Sequence, residues 1–361
     1  MWYNTKVAEL LTIDYPILQG PFGGNFSSVE LVAIVSNMGG LGGYGAYTLS
    51  PQELIAVNNK IKAATNKPYN INLWVSETDA PDGMITDEQY EMAVKIFKPY
   101  FEEAGISLPE KPAPFKSKFE NQVQVILDIR PKLFSFVFGI PSAYIMEQCH
   151  KVGILTAGGA TTLDEALALE AAGVDMIIAS GFEAGGHRPS FLAPAESSTT
   201  GTFVLLQLIK EKVKTPVIAA GGIANGKAVA AALALGADAA QIGTAFLATD
   251  ESNAKAIHKQ MLFSDAAKYT NLSRAFTGRL GRGIASRIAK DLIHKEKSFL
   301  PFPLQTQFMS HLRKAALEQE KLDMILFWCG QIAPALKHTK AAELMKSVLD
   351  ETTAYFDHLK I

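Results

Sequence analysis

The stretch 216–249, PVIAAGGIANGKAVAAALALGADAAQIGTAFLAT, decides the fold. Its VIAA run is apolar without alternation, as expected of a parallel strand covered on both faces. Gly221 and Gly222 follow, and Asn225 then opens an Ala/Leu-rich helical pattern that stops at Gly236. AAQI starts the next strand at once. A strand, a helix and a second strand this close in sequence form a βα unit, whose strands lie parallel.

The same rhythm extends back to the amino terminus. It predicts eight strands: Pro16–Gln19, Gly40–Gly45, Asn70–Val75, Leu133–Gly139, Gly153–Ala157, Met176–Ser180, Val217–Ala220 and Ala239–Ile242. Apolar spacing and capping residues predict a helix after each: Ser28–Ser36, Pro51–Ala63, Phe119–Ile129, Ser142–Cys149, Leu163–Ala171, Thr202–Lys212, Gly226–Leu235 and Glu251–Phe263. Eight such units make a (β/α)8 TIM barrel over residues 1–265. Residues 77–118, rich in Pro, Asp and Lys, read as an insertion on the third unit. Residues 266–361 read as a helical extension or lid, with helical patterns at Gln305–Glu318, Leu322–Cys329 and Ala341–His358.

Composition removes several function classes. With 48% hydrophobic and 19% charged residues, the 361-residue chain is globular rather than disordered. A formal charge of −2 supplies no basic surplus for nucleic acid. Two isolated cysteines, Cys149 and Cys329, make neither a disulfide framework nor a zinc site, and no metal-ligand spacing is present. These features, and the absence of a leader pattern, point to the cytoplasm. The apolar, helix-rich tail is compatible with a homodimer.

In barrel enzymes phosphate is commonly held by the loops after strands seven and eight. Here those loops carry Gly221–Gly222 with the helix opened by Asn225, and Gly243–Thr244. Backbone and helix-terminal amides in both places suit a dianion. The loop after strand six, ASGFEAGGHRPSF, holds Glu183, Gly185, Gly186 and His187. An imidazole with a pKa near neutrality at a barrel mouth suits proton abstraction. Glu183 reads equally as a group that fixes its loop by accepting from backbone amides. Gln19, Gly20 and Pro21 stand at the first strand's end, where glutamine could meet a planar heterocycle or serve turn chemistry. Asn72 lies inside an apolar run and needs a partner, either a ligand edge or a neighbour within the barrel. Arg279, Arg282 and Arg287 on a glycine-rich stretch could reach an anionic ligand but read more simply as solvated charges. Phe134, Phe136 and Phe138 read as core, as does Trp74.

The segments ILQGPFGG, NINLWV, GFEAGGHRPSF, PVIAAGGIANG, QIGTAFLAT and AFTGRLGRGI occur in this order. Together they resemble the nitronate monooxygenases, formerly called 2-nitropropane dioxygenases, across nearly the whole chain. The resemblance implies an FMN enzyme without a metal that oxidises alkyl nitronates with O2 to carbonyl compounds and nitrite. It implies that His187 is the base for neutral nitroalkanes. Asn72, Gly185, Gly222, Gln241, Gly243 and Thr244 fall on FMN-contacting positions, with Gly186 and Gly221 beside them, and Gln331 matches a late Gly-Gln motif that closes over the flavin. Gly20, Phe22 and Ser180 stand where the family usually has alanine, methionine and often glutamine, and Pro189 where glycine is common. FMN-dependent enoyl-acyl-carrier-protein reductases share the EAGGH and AAGGI segments but use NAD(P)H. Their usual chain is shorter, so the insertion and tail favour the nitronate reading over that one; a quinone reductase on the same barrel is a further alternative.

Overall fold

The structure is a computed structural model that describes residues 1–359. Its strands are β1 (Ile17–Gln19), β2 (Gly42–Gly45), β3 (Tyr69–Trp74), β4 (Leu133–Val137), β5 (Leu155–Ala160), β6 (Met176–Ser180), β7 (Gly186–His187), β8 (Val217–Ala220), β9 (Ala239–Ile242), β10 (Thr270–Ser273) and β11 (Gly281–Ile284). All but β7, β10 and β11 form the eight-stranded parallel sheet expected, in the order β1-β9-β8-β6-β5-β4-β3-β2. A parallel bridge between Leu18 and Leu41 closes it into a barrel. The fifth strand starts at Leu155 rather than Gly153, because 153–154 complete the preceding helix's turn through bonds to His150 and Cys149.

The helices are α1 (Lys6–Leu11), α2 (Val29–Asn37), α3 (Pro51–Ala64), α4 (Asp87–Glu103), α5 (Phe119–Ile129), α6 (Ala143–Lys151), α7 (Leu163–Ala171), α8 (Thr202–Lys212), α9 (Gly226–Ala234), α10 (Thr244–Leu247), α11 (Ala256–Leu262), α12 (Arg287–Asp291), α13 (Leu304–Glu318) and α14 (Ala341–Leu359). Alternation along the strands sorts the core. Tyr69, Ile71 and Leu73 of β3, like Phe134 and Phe136 of β4, pack outward among the helices. Leu18, Leu133, Met176, Ile178, Ile218 and Ala239 fill the barrel interior, where Val7 and Leu11 of α1 join them. By the same alternation Asn72, Ser180 and Gln241 belong to the inner face, one or two steps nearer the mouth.

The insertion contains a long helix, α4, that the sequence pattern does not reveal. Thr86 and Gln89 cap it reciprocally, and Pro99 interrupts its pattern from within. Its Phe97 and Phe101 share one apolar cluster with Leu304, Phe308 and Leu312 of α13. The extension is not purely helical: β10 and β11 pair antiparallel, and β11 pairs with β7 in the loop after β6. The expected helix Leu322–Cys329 is a single turn, Leu322–Met324, followed by extended chain that bridges Gly283 at Trp328. Eighth-unit helical structure is likewise divided into α10 and α11.

The tail is fastened to the barrel at Gly226. Glu351 of α14 accepts from the Gly226 amide at 3.0 Å, and Thr352 Oγ1 lies 3.3 Å from the Gly226 carbonyl. A Cβ there would lie 2.4 Å from Glu351 Cβ and 2.5 Å from the Thr352 nitrogen. Gly226→Ala is therefore expected to destabilise the fold by about 1–3 kcal/mol through overpacking, read as a lower urea midpoint. An unchanged midpoint would show that α14 is not clamped in this way.

Candidate active site

The inner-face residues converge as the strand register requires. Gln241 pairs with Leu18 on one side and Ala220 on the other, and its Oε1 is buried with no hydrogen-bond partner. Gly20 packs beside Gly243, where a Cβ would stand 3.3 Å from the Gly243 Cα, and the Pro21–Phe22 turn continues from it. Gly243 itself faces open space, with nothing within 4 Å of the position a Cβ would take. Gly221 and Gly222 adopt φ of 110° and 70°, backbone that favours glycine. The helix opened by Asn225 is already capped: its side chain accepts from Ala228, and Glu351 takes the Gly226 amide. Those two amides are thus not open to a phosphate, contrary to the sequence reading. By contrast, α10 has no side-chain cap.

Three candidates are satisfied by the protein. Gln19 is 1% exposed; its Oε1 accepts from Gly43 and its amide donates to the Gly20 carbonyl, so it ties β1 to β2. It shares the outward face of Ile17 and does not reach the mouth. Asn72 donates to Ser135 Oγ at 3.0 Å, the within-barrel alternative. Glu183 accepts from the Thr202 amide at 3.0 Å and 3.1 Å, capping α8, whose own N-cap residue, Gly201, has no side chain to do so. It is the loop-fixing role.

The loop after β6 is shaped by two buried cations. Arg188 is 2% exposed and donates to the carbonyls of Ser180, Gly181 and Ser198. Burial and the neighbouring Arg282 push its pKa down to about 10, which still leaves it charged at neutral pH. Arg282, also buried, donates to the Phe182 carbonyl and Thr270 Oγ1. The expectation of solvated arginines fails for it and for Arg279, because the extension folds back over both. Arg287 is half-buried and pairs with Glu103 and Asp323.

His187 is held by this same loop against the extension, since β7 pairs with β11. Its Nε2 lies 2.8 Å from Thr277 Oγ1. Trp74 meets its ring edge-on at 5.3 Å, with Trp328 at 4.7 Å, Phe302 at 5.8 Å and Phe138 at 6.3 Å. Trp74 and Phe138 are thus site walls rather than plain core; Phe138 lies beyond the end of β4 with φ of 62°. Arg279 stacks on Phe138 at 4.1 Å and on Phe302 at 4.5 Å, and grips Asp79 with two bonds of 2.7 Å and 2.8 Å. Burial, then the charges of Arg279 and Arg274, push the imidazole down from 6.5 to about 3. It is neutral at physiological pH, and the expected pKa near neutrality is not found.

A second imidazole behaves alike. His258 donates to the Trp328 carbonyl at 2.9 Å, and burial holds its pKa at about 4. Below about pH 6.5 the unfolded chain binds protons at both positions while the folded chain does not. Stability should be full above that pH and fall as acid is added, by about 1.4 kcal/mol per pH unit for each imidazole. Urea midpoints at stepped pH should show this slope, reduced by about one proton in His258→Asn. A midpoint independent of pH between 6.5 and 4 would contradict it.

The tail crosses the site through backbone. The Gln331 amide donates to the Glu183 carbonyl at 3.0 Å, and the Gly330 amide to Thr244 Oγ1 at 2.8 Å. A Cβ on Gly185 would stand 2.4 Å from the Gly330 nitrogen, so only glycine lets the strands of chain approach so closely. Gln331 itself is exposed. Thr277, Phe302 and Trp328 escape the sequence reading, although Thr277 stands in the AFTGRLGRGI segment. Among the described residues no cluster of His, Cys, Asp and Glu could hold a metal, and no helix is long and apolar enough to cross a membrane.

The nitronate monooxygenase family model matches residues 4–351. A probable nitronate monooxygenase of Staphylococcus haemolyticus is 35% identical over 353 residues, covering 97% of this chain and 98% of its own. The solved nitroalkane oxidase of Streptomyces ansochromogenes superposes with a TM-score of 0.88 at 32% identity, over 98% of this chain and 99% of its own. FabK from Thermotoga maritima superposes less well, at 0.75 and 26% identity, over 99% of this chain and 98% of its own. The family match, the whole-chain identity and the superposition agree: this chain is an oxidoreductase of the nitronate monooxygenase family.

Proposed function

We propose that the chain oxidises alkyl nitronates with O2 to carbonyl compounds and nitrite, using FMN bound at the carboxyl ends of β8 and β9. The observation that carries this reading is Gln241 Oε1, buried without a partner on the inner face beside the open space at Gly243. An orphaned buried acceptor costs on the order of 1–3 kcal/mol, and an N–H at the edge of a flavin ring would remove that cost. Gly221, Gly222, Gly243 and Thr244 would hold the phosphate, with Arg188 and Arg282 supplying positive charge that, among the described residues, no carboxylate pairs directly. When bound, FMN supplies the electron-accepting chemistry and the route to O2.

The chain's own groups favour an anionic donor. Arg279 attracts the nitronate, and the rings of Trp74, Phe138, Phe302 and Trp328 keep water from it. A nitronate requires no proton transfer. A neutral nitroalkane would yield its α-proton to His187, and the guanidinium that disfavours the imidazolium also stabilises the anion being formed. Nitroalkanes should therefore react, but more slowly than their anions. Nitrite release with O2 uptake from a nitronate tests the reading. NADH consumption with an enoyl thioester, and no nitrite, would replace it with the reductase reading.

A further inference from the structure

We propose that Thr277 is a positioning residue that fixes His187 in the tautomer protonated on Nε2, so that the lone pair on Nδ1 is the one offered to substrate. Counting hydrogens leads there. Thr277 Oγ1 lies 2.8 Å from His187 Nε2 and 3.1 Å from the Arg279 carbonyl oxygen. A carbonyl can only accept, and a hydroxyl has one proton to give. The Thr277 proton therefore goes to Arg279, and Nε2 must be the donor in the other bond. The relay His187 Nε2–H to Thr277 Oγ1–H to the Arg279 carbonyl runs in one direction, and it leaves Nδ1 bare.

The opposite tautomer would require Thr277 to donate to Nε2, leaving the carbonyl of the buried Arg279 without that proton. Thr277 is itself buried, at 9% exposure, so water does not readily substitute for it. The charged groups around the ring reinforce the assignment. Arg279 and Arg274 are cations, each paired with a carboxylate turned away to them, Asp79 and Glu196 respectively. Among the described residues no carboxylate is bonded to the imidazole, so the hydroxyl alone orients it.

The reacting step balances simply. The α-carbon of a neutral nitroalkane loses its proton to Nδ1, the C–H electron pair moves onto the nitro group as a nitronate, and the imidazolium retains both protons. No oxidant is involved. An imidazole in the wrong tautomer can lose up to about 10⁴ in rate. Only the kinetic arm of the test rests on the proposed function.

The test uses the protein as purified, with ¹⁵N-labelled histidine, in which long-range ¹H–¹⁵N correlations assign the protonated nitrogen. Signals of His187 are identified by their loss in His187→Asn. Wild type and Thr277→Ser should show a proton on Nε2 and a bare Nδ1, whereas Thr277→Val should show a mixture of tautomers. In parallel, Thr277→Val should lower the rate with neutral nitroethane about tenfold more than the rate with its anion, and Thr277→Ser should restore most of that difference. A wild-type proton on Nδ1 overturns the proposal, as does an unaltered tautomer in Thr277→Val. If Thr277→Val fails to fold, the wild-type and Thr277→Ser spectra still decide. If wild type oxidises neither nitroethane nor its anion, the proposed function fails while the spectra still judge the tautomer.

Discussion

His187→Asn is expected to lower the rate with neutral nitroalkanes by about 10²–10⁴, the usual contribution of a positioned general base. With the preformed nitronate the loss should be at least tenfold smaller, because no proton is taken from carbon. The aromatic wall remains, so the fold should persist. The pH dependence is part of the prediction. A base held at about 3 stays neutral from pH 5 to 9, so the wild-type nitroalkane rate should show no ionisation of His187 in that range. Steady-state rates on both substrate forms check this. Equal losses on both would mean that His187 binds substrate without acting as a base.

Gly243→Val should abolish FMN retention while leaving the protein folded. The two effects separate because of the local geometry. At φ of −100° a side chain is not forced into the left-handed region, and nothing lies within 4 Å of the new Cβ. The substitution thus meets little of the protein but fills the space assigned to the phosphate and ring edge. The purified variant should be colourless, bind added FMN at least about tenfold more weakly, and melt within a few degrees of FMN-free wild type. A yellow variant with wild-type affinity would move the cofactor elsewhere.

The barrel is legible because each buried parallel strand leaves an unalternated apolar run closed by glycine, as at Val217–Ala220 and Ala239–Ile242. Only local patterns are needed for that. The parts that are not legible depend on the chain folding back. Arg279 and Arg282 look like loop charges in sequence, and they become buried because β11 lays that loop against β7. The pKa of His187 depends on Trp74, Phe302 and Trp328, which come from distant segments, so no reading of EAGGH could supply it. Gln19 illustrates the parity of a strand. One step along β1 decides between the mouth and the helix side, and the sequence does not show which. Gln241 stands out by resemblance, but its unpartnered oxygen is visible only in three dimensions. The capping box of α4, Thr86 with Gln89, is a local signal that the prolines of the insertion obscure.

A flavin seated between the β8–β9 loops and His187 should accept electrons from a nitronate. Anaerobic titration of the purified protein with an alkyl nitronate, followed by visible absorption, tests it most directly. The expected result is a yellow protein whose flavin band bleaches on titration and returns when air is admitted. A protein that is colourless and takes up no FMN, or a flavin band that nitronate leaves untouched, would contradict it.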